Sequence, residues 1–398
     1  MFAHIDEVHP DDQPIVDAVE RFALDVLRPV GRTLDAMADP AQVVADDSPL
    51  WDVVARYREL GVDPSELSDS GLPADRVARL QATVAERLGW GDAGLAISLE
   101  VSTFPRMLAR LSGNPALMER FDRPGLIGCW AITEPDHGSD VLMYADHLQD
   151  MPGRPNCVAR RDGDDWIIRG QKAAWVSNGT IAKSAALFCW VEPGSGPAGM
   201  GAFLVDLDDP AVQRGKPLDK LGQRSLNQGE LFFDDLRVSA EHLVFPPMPG
   251  AGGMVLALAN SSMGVTFSGV ARAACEAAFE YTQQRQQGGG PIIRHQNVRG
   301  QLFSMFRRVE AARALSRHVM ITNATAGPQV AASIASKVTA TQTAFEVASD
   351  ALGLFGGNGL SREYPIEKLL RDARASMIED GSNDVLGLIA MDHLTASP

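Results

Sequence analysis

Cysteine is scarce and scattered in this chain. The 398 residues include four, Cys129, Cys157, Cys189 and Cys275, and none forms a C-x-x-C pair. That excludes a disulfide framework and a thiolate metal site and leaves reduced, partly buried thiols. Histidine offers no metal site either, because the eight histidines contain no H-x-x-x-H or H-E-x-x-H spacing; no metal is expected. Basic charge is in deficit. Against 51 acidic residues stand 36 basic ones, a net charge of -15, so the average surface field repels phosphate backbones and anionic lipid, and no nucleic-acid partner is expected. The start, "MFAHIDEVHPDDQP", lacks a basic region followed by an apolar one; no secretory leader is read, and the expected location is cytoplasmic. No G-x-S-x-G elbow or Cys/His signature marks a nucleophilic hydrolase. "FGGNG" at 355–359 follows a helical pattern and lacks the G-x-G-x-x-G spacing, so a dinucleotide fold of Rossmann type is unsupported. A single uncharged run, Ala251 to Ala271, is long enough to raise a membrane span. Asn260, Ser261, Ser262, Thr266 and Ser268 within it point instead to a helix buried in protein, and no span is expected.

What is present is ample core material: 45% hydrophobic and 22% charged residues, ordinary for a globular protein and too apolar for disorder. The length predicts two or three packed domains. From Pro14 the apolar positions Ile15, Val19, Phe22, Val26 and Leu27 recur at helical spacing, and "LWDVVARYRELG" repeats the pattern before Gly61, a helix stop. "DRVARLQATVAERLGW" continues it, so residues 1–122 read as a helical domain. Short β-prone runs then appear: "GLIGCWAIT", "WIIRG", "AALFCWVE", "AFLVDL" and "ELFFDDLRV", with an Asp162-Gly163 hairpin signal. Residues 123–244 therefore read as a β domain. After the link "FPPMPGAGG" (245–253), helical period returns, with Val298, Leu302, Met305, Phe306, Val309 and Leu315 along one side. Residues 245–398 read as an antiparallel helical bundle.

Two β-domain segments carry candidate chemistry. "CWAITEPDHGSD" (129–140) runs a strand into Thr133, Gly138 and Ser139, offering hydroxyls and backbone N–H groups to a planar polar ligand. "GQKAAWVSNG" adds the aromatic face of Trp175 beside Ser177. Near the end, "RDARASMIEDGSNDVLGL" sets Glu379 and Asp380 before Gly381 and Ser382, which is either a solvated helix cap or a catalytic base.

These segments resemble the acyl-CoA dehydrogenase family. "CWAITEPDHGSD" resembles its first signature and "GQKAAWVSNGTIA" the strand over the flavin. "GQRSLNQGELFFDDLRV", "YTQQRQQGGGPIIRHQ" and "LFGGNGLSREYPIEKLLRDARASMIEDGS", the second signature, follow in the family's order. The resemblance implies an N-terminal α-helical domain, a middle β-barrel or sandwich domain and a C-terminal four-helix bundle. It implies FAD as cofactor, an acyl-CoA or acyl-carrier thioester as substrate, an electron-transferring flavoprotein as electron acceptor, and a homotetramer or homodimer. By the same resemblance Trp130, Ile132, Thr133, Gly138, Ser139, Trp175 and Ser177 surround the isoalloxazine. Arg285, His295 and Gln296 reach the FAD of a neighbouring subunit, Gly357 of the second signature joins the cofactor set, and Ser382 and Asp384 fall near its pyrophosphate and ribose.

Family members abstract the α-proton of an acyl thioester while hydride leaves the β-carbon, and the register of the second signature puts Asp380-Gly381-Ser382 where many members have Glu-Gly-Thr. Asp380 is thus the candidate base and Gly381 a substrate neighbour; Glu379 as a substitute base and a solvated turn without chemistry stay open. The alternative base position on the long helix is Ala259. Asn260 stands where relatives often carry an arginine near the base, and Glu100 near the floor of the acyl pocket, where a buried carboxylate would favour a polar or short acyl group and a solvated glutamate is the other reading. Further departures are Gly288 for the aromatic of R-x-x-F-G, Gly353 for a glutamine, and one extra residue in "KAAWVS". The expected activity is FAD-dependent formation of an α,β-double bond in an acyl thioester. Two alternatives are a flavin-dependent monooxygenase on the same fold and a half-active or non-catalytic subunit of a hetero-oligomer.

Overall fold

The computed structural model describes residues 2, 8–142, 154–193, 199–248 and 251–396. Most of the N-terminal stretch examined for a leader, and Pro249 and Gly250 of the link, lie outside the described residues.

The first helices are α1 (Gln13–Phe22), α2 (Arg28–Ala36), α3 (Leu50–Leu60), α4 (Pro64–Ser68), α5 (Ala74–Gly91), α6 (Ala93–Val101), α7 (Phe104–Ser112) and α8 (Pro115–Phe121). The apolar stripes of α1 to α6 meet in one core that includes Val19, Leu27, Leu50, Val53, Leu80 and Leu88, while α7 and α8 pack through Leu108, Leu117 and Phe121 on Ala186, Ala202 and Leu204 of the next domain. Gly61 closes α3 in the left-handed region at φ 62°, as its place after the stripe predicts.

Eight strands follow: β1 (Gly128–Ala131), β2 (Val158–Asp162), β3 (Asp165–Lys172), β4 (Ser184–Val191), β5 (Gly199–Asp206), β6 (Val212–Arg214), β7 (Leu231–Ser239) and β8 (Leu243–Phe245). They form a mixed sheet of order β6-β7-β3-β2-β4-β5-β8, with β1 parallel to β4, around a core of their own. The β2–β3 hairpin is shifted by one residue from the sequence reading. Asp162 pairs with Asp165, so the central residues are Gly163 and Asp164, and of these only Gly163 takes positive φ, 62°. A glycine leading the turn supplies the one conformation that needs it.

The last part holds α9 (Ala251–Gln284), a small hairpin of β9 (Gln286–Gln287) and β10 (Gly290–Pro291), then α10 (Gln296–Ala326), α11 (Val330–Phe355), α12 (Ile366–Ser376) and α13 (Asn383–Ala396). Helix α9 is long and apolar enough to cross a membrane, yet 78% of that window is buried within the protein. It crosses α5 at glycines: a Cβ on Gly89 would overlap the carbonyl of Thr266, and one on Gly269 the carbonyl of Glu86. Buried charge joins the parts. Glu86 of α5 accepts from Arg313 and Arg317 of α10, and the Lys368 ammonium bridges Asp92 and Asp372 at 2.6 Å each. Asp372 also accepts from the backbone N–H of Gln223. This knot ties α6, α12 and the 220–228 segment together beneath the acid turn.

Candidate active site

Between α12 and α13 the chain makes a turn that neither helix nor ladder dictates: Asp380 takes φ 49° and Gly381 φ 97°. Left-handed backbone at a non-glycine residue costs about 1 kcal/mol or more and marks a turn held by its surroundings. Three carboxyls gather around it. Water reaches Asp380, but the protein walling it pushes its carboxyl above the ordinary range, against the pull of the Lys337 ammonium. Glu379, half-buried, accepts from the side-chain amide of Gln223 at 2.9 Å. Burial raises it to about 7, opposed by Gln223 and Lys220 and reinforced by the charge of Asp380. Glu100 of α6 accepts from the Ser262 hydroxyl of α9. Burial raises it to about 7 as well, and again the charge of Asp380 adds to the rise. Glu100 and Ser262 also line a largely apolar recess with Val62, Leu67, Val84 and Leu88.

The β-sheet side meets this turn directly. The Ser139 hydroxyl, in the short helical turn after "TEPDHG", accepts from Ser382 N–H at 2.9 Å. Strand β1 leads there through Ile132, whose carbonyl accepts from Lys172 Nζ at 2.9 Å, and Thr133, whose carbonyl accepts from Ala173 N–H at 2.9 Å. Glu134 is fully used in structure, paired with Lys172 at 2.7 Å in the interior. Trp175, in the turn after β3, leaves 57% of its surface exposed, an unusual state for an indole. Gln228 holds that turn by donating to the Trp175 carbonyl at 3.1 Å and the Ser177 hydroxyl at 3.3 Å. In turn Gln228 accepts from Lys220 Nζ at 2.6 Å, whose burial lowers it to about 7 while Glu379 and Asp372 oppose the fall.

Comparison with known proteins agrees with this layout. The acyl-CoA dehydrogenase middle-domain model matches residues 129–236 and the C-terminal-domain model residues 254–395. The chain is 30% identical over 366 residues to cyclohex-1-ene-1-carbonyl-CoA dehydrogenase of Syntrophus aciditrophicus, covering 88% of this chain and 84% of that one. It is 29% identical over 353 residues to the mitochondrial short-chain specific acyl-CoA dehydrogenase of Rattus norvegicus, covering 86% and 82%. A chain solved in work on the electron transferring flavoprotein of Acidaminococcus fermentans superposes with a TM-score of 0.84 at 25% identity, covering 98% and 99%. The chain belongs to the acyl-CoA dehydrogenase family. It has that family's fold, and it is an FAD-dependent oxidoreductase that dehydrogenates acyl-CoA.

An acyl-CoA dehydrogenase must present a broad face to the flavin ring, and the exposed Trp175 with Ser177 beside it fits that need, as does the open space around Gly138. The remaining sequence candidates fall in several places. Trp130 is half-buried between Phe104 and Phe188, with ring centroids 4.5 and 5.0 Å away. Arg285, His295 and Gln296 lie exposed at the β9–β10 hairpin and the start of α10, where His295 faces the Gln287 carbonyl at 3.1 Å. Gly357 sits in the short helical turn after α11 with open space around it, and Asp384 is exposed in the first turn of α13. Asn260 is fully buried and donates to Leu256 O at 3.0 Å within its own helix, its carbonyl oxygen unpaired. Sequence reasoning missed Lys337, Lys220, Gln223, Gln228 and Ser262. Lys337 had a signal: it is the only charged residue between His318 and Glu346, in an Ala-, Ser- and Thr-rich stretch of α11.

Proposed function

We propose that this acyl-CoA dehydrogenase forms an α,β-double bond in a short acyl thioester with a polar end, with Asp380 as the base. The observation that carries this reading is the 2.9 Å bond from Ser382 N–H to Ser139 Oγ. It joins the acid turn to the segment after β1 that carries Thr133, Gly138 and Ser139, which with Trp175 and Ser177 are the residues proposed to hold FAD. Arg285, His295 and Gln296 are exposed and available to the FAD of a second copy, and Ser382 and Asp384, at the positive end of α13, to its pyrophosphate and ribose, where the Asp384 carboxylate suits a ribose hydroxyl. FAD, when bound, supplies the two-electron acceptor for the β-carbon. Asp380 takes the α-proton; its raised pKa brings the carboxylate nearer the basicity that proton transfer needs. Asp is one methylene shorter than Glu, so the left-handed turn has to advance the carboxylate toward the substrate, and a small misplacement costs rate heavily.

Glu100 and Ser262 support the acyl preference. A carboxyl held at about 7 exists in both protonation states at neutral pH, so it can donate to or accept from a polar acyl end; an apolar tail there would leave the carboxyl oxygen not bonded to Ser262 without a partner. The proposed electron acceptor is an electron-transferring flavoprotein, supported by the structural likeness to the Acidaminococcus chain, and the proposed assembly is a homotetramer or homodimer. Anaerobic bleaching of the bound flavin by a panel of acyl-CoAs tests the reading. Asp380→Asn is expected to slow bleaching by at least a thousandfold (roughly 4 kcal/mol) with the flavin retained. Undiminished bleaching in that variant removes Asp380 from the mechanism.

A further inference from the structure

The peptide joining Gly381 to Ser382 is gripped at both of its polar groups by side chains remote in sequence. Its carbonyl accepts from Lys337 Nζ of α11 at 2.8 Å, and its N–H donates to Ser139 Oγ at 2.9 Å. Lys337 makes a second bond, to Asn383 Oδ1 at 2.8 Å, and the Asn383 amide donates at 3.1 Å to Thr341, one turn along α11. Lys337 is fully buried. Taking an ammonium out of water costs several kcal/mol, and an apolar side chain of like volume would fill the space without that cost. Packing therefore does not explain a lysine here. Its two acceptors are a peptide carbonyl and an amide, both neutral, and the negative charges acting on it are those of Asp380 and Glu379.

We propose that Lys337 is a positioning residue for the base: with Ser139 it clamps the Gly381–Ser382 peptide, fixing the place of Asp380 beside it with a positive charge behind the turn. This rests on the reading of Asp380 as the base. The clamp answers a structural need: the two successive left-handed residues are spanned by the bond from Asn383 N–H to the Met377 carbonyl at 3.0 Å, while the Gly381–Ser382 peptide inside that span is held by the side chains of Lys337 and Ser139. It answers an electrostatic one too. The other charged groups acting with Asp380 are Glu379 beside it and Glu100 of α6, both acidic, and Lys337 is the cation that acts on it.

The test uses the full chain loaded with FAD and two readouts that need no substrate. One is amide hydrogen exchange over residues 379–383; the other is titration of the Asp380 carboxyl by carbon-13 NMR, assigned with Asp380→Asn. Lys337→Met removes both donor and charge: exchange is expected to quicken tenfold or more, and the Asp380 midpoint to rise by about one pH unit, a tenfold change in its ionisation constant. Lys337→Gln keeps a donor without the charge, so the midpoint moves up while exchange stays within about threefold of wild type. Lys337→Arg returns the midpoint toward wild type. A folded Met or Gln variant with an unmoved Asp380 midpoint overturns the electrostatic role, and unmoved exchange in the Met variant overturns the clamp. Should the Met variant not fold, the Gln variant decides the electrostatic role and Asn383→Ala, expected to quicken the same amides, decides the clamp. None of these readouts depends on turnover, so they fail or succeed separately from the bleaching experiment on Asp380→Asn.

Discussion

Glu100 and Glu379 are both held at about 7 by burial, with the charge of Asp380 adding to the rise, and this has a measurable sign. An unfolded glutamate loses its proton near 4.5, while the folded chain keeps it until about 7, so the folded state binds the extra proton in that window. Stability therefore falls as pH climbs from the lower value to the higher and is level above it. Replacing Glu100 by Gln keeps the acceptor for Ser262 and removes the titration. Glu100→Gln is expected to gain roughly 1–2 kcal/mol at pH 8 and little at pH 5, after discounting for its partial exposure; urea midpoints at the two pH values measure it, and equal gains at both would refute the assignment. The same residues mark how far the site could be read in advance. Asp380, Ser139, Ser382 and Trp175 stand in contiguous motifs and were legible as candidates, and of these the structure joins Ser139 to Ser382. Ser262 meets Glu100 across 162 positions and Lys337 meets Gly381 across 44, and no local pattern encodes a partner that far away.

Helices α5 and α9 approach so closely that their packing is set by two glycines whose missing side chains make room for backbone. A Cβ at Gly269 would run into the Glu86 carbonyl and lie 2.8 Å from the Trp90 nitrogen, atoms that cannot swing aside as a side chain can. Gly269→Ala is therefore expected to destabilise by about 3 kcal/mol or to prevent folding. Gly300 of α10 is exposed with open space around it, and Gly300→Ala is expected to stabilise by about 0.5–1 kcal/mol. Denaturant unfolding of the pair checks both signs together, and a harmless Gly269→Ala would mean the crossing is looser than drawn. Element type was legible wherever a stripe ran several turns, as in α3, α5 and α10. The three-residue strands β6 and β8 and the β9–β10 hairpin are too short for alternation to register. The hairpin after β2 was legible as a turn but not in register, because a glycine serves equally at either central position until the strand pairing chooses.

For the molecule as a whole, the unanswered surface is apolar and lies at one end of the bundle. Helix α13 packs through Leu386 and Ile389 onto Leu256 and Ile334, yet Leu388, Met391 and Leu394 on the same helix stand 61%, 54% and 62% exposed. Met254 and Leu258 at the start of α9 are exposed as well, and that start lies beside α13, where Gly253 approaches His393. A patch of this kind on a folded chain calls for a partner, and the proposed homo-oligomer supplies one in a second copy, since a two-fold seam joins a surface to itself. The net charge of -15 opposes association and is screened by salt, so the apolar contact has to carry it. Wild type is expected to run as a dimer or tetramer by light scattering at micromolar concentration. Leu388→Glu with Leu394→Glu is expected to give a smaller species with unchanged helix content. If the exposed Arg285, His295 and Gln296 reach the FAD of the neighbouring copy, the same variant loses flavin on gel filtration while wild type keeps it. A variant that retains both its assembly and its flavin would place the subunit seam elsewhere on the molecule.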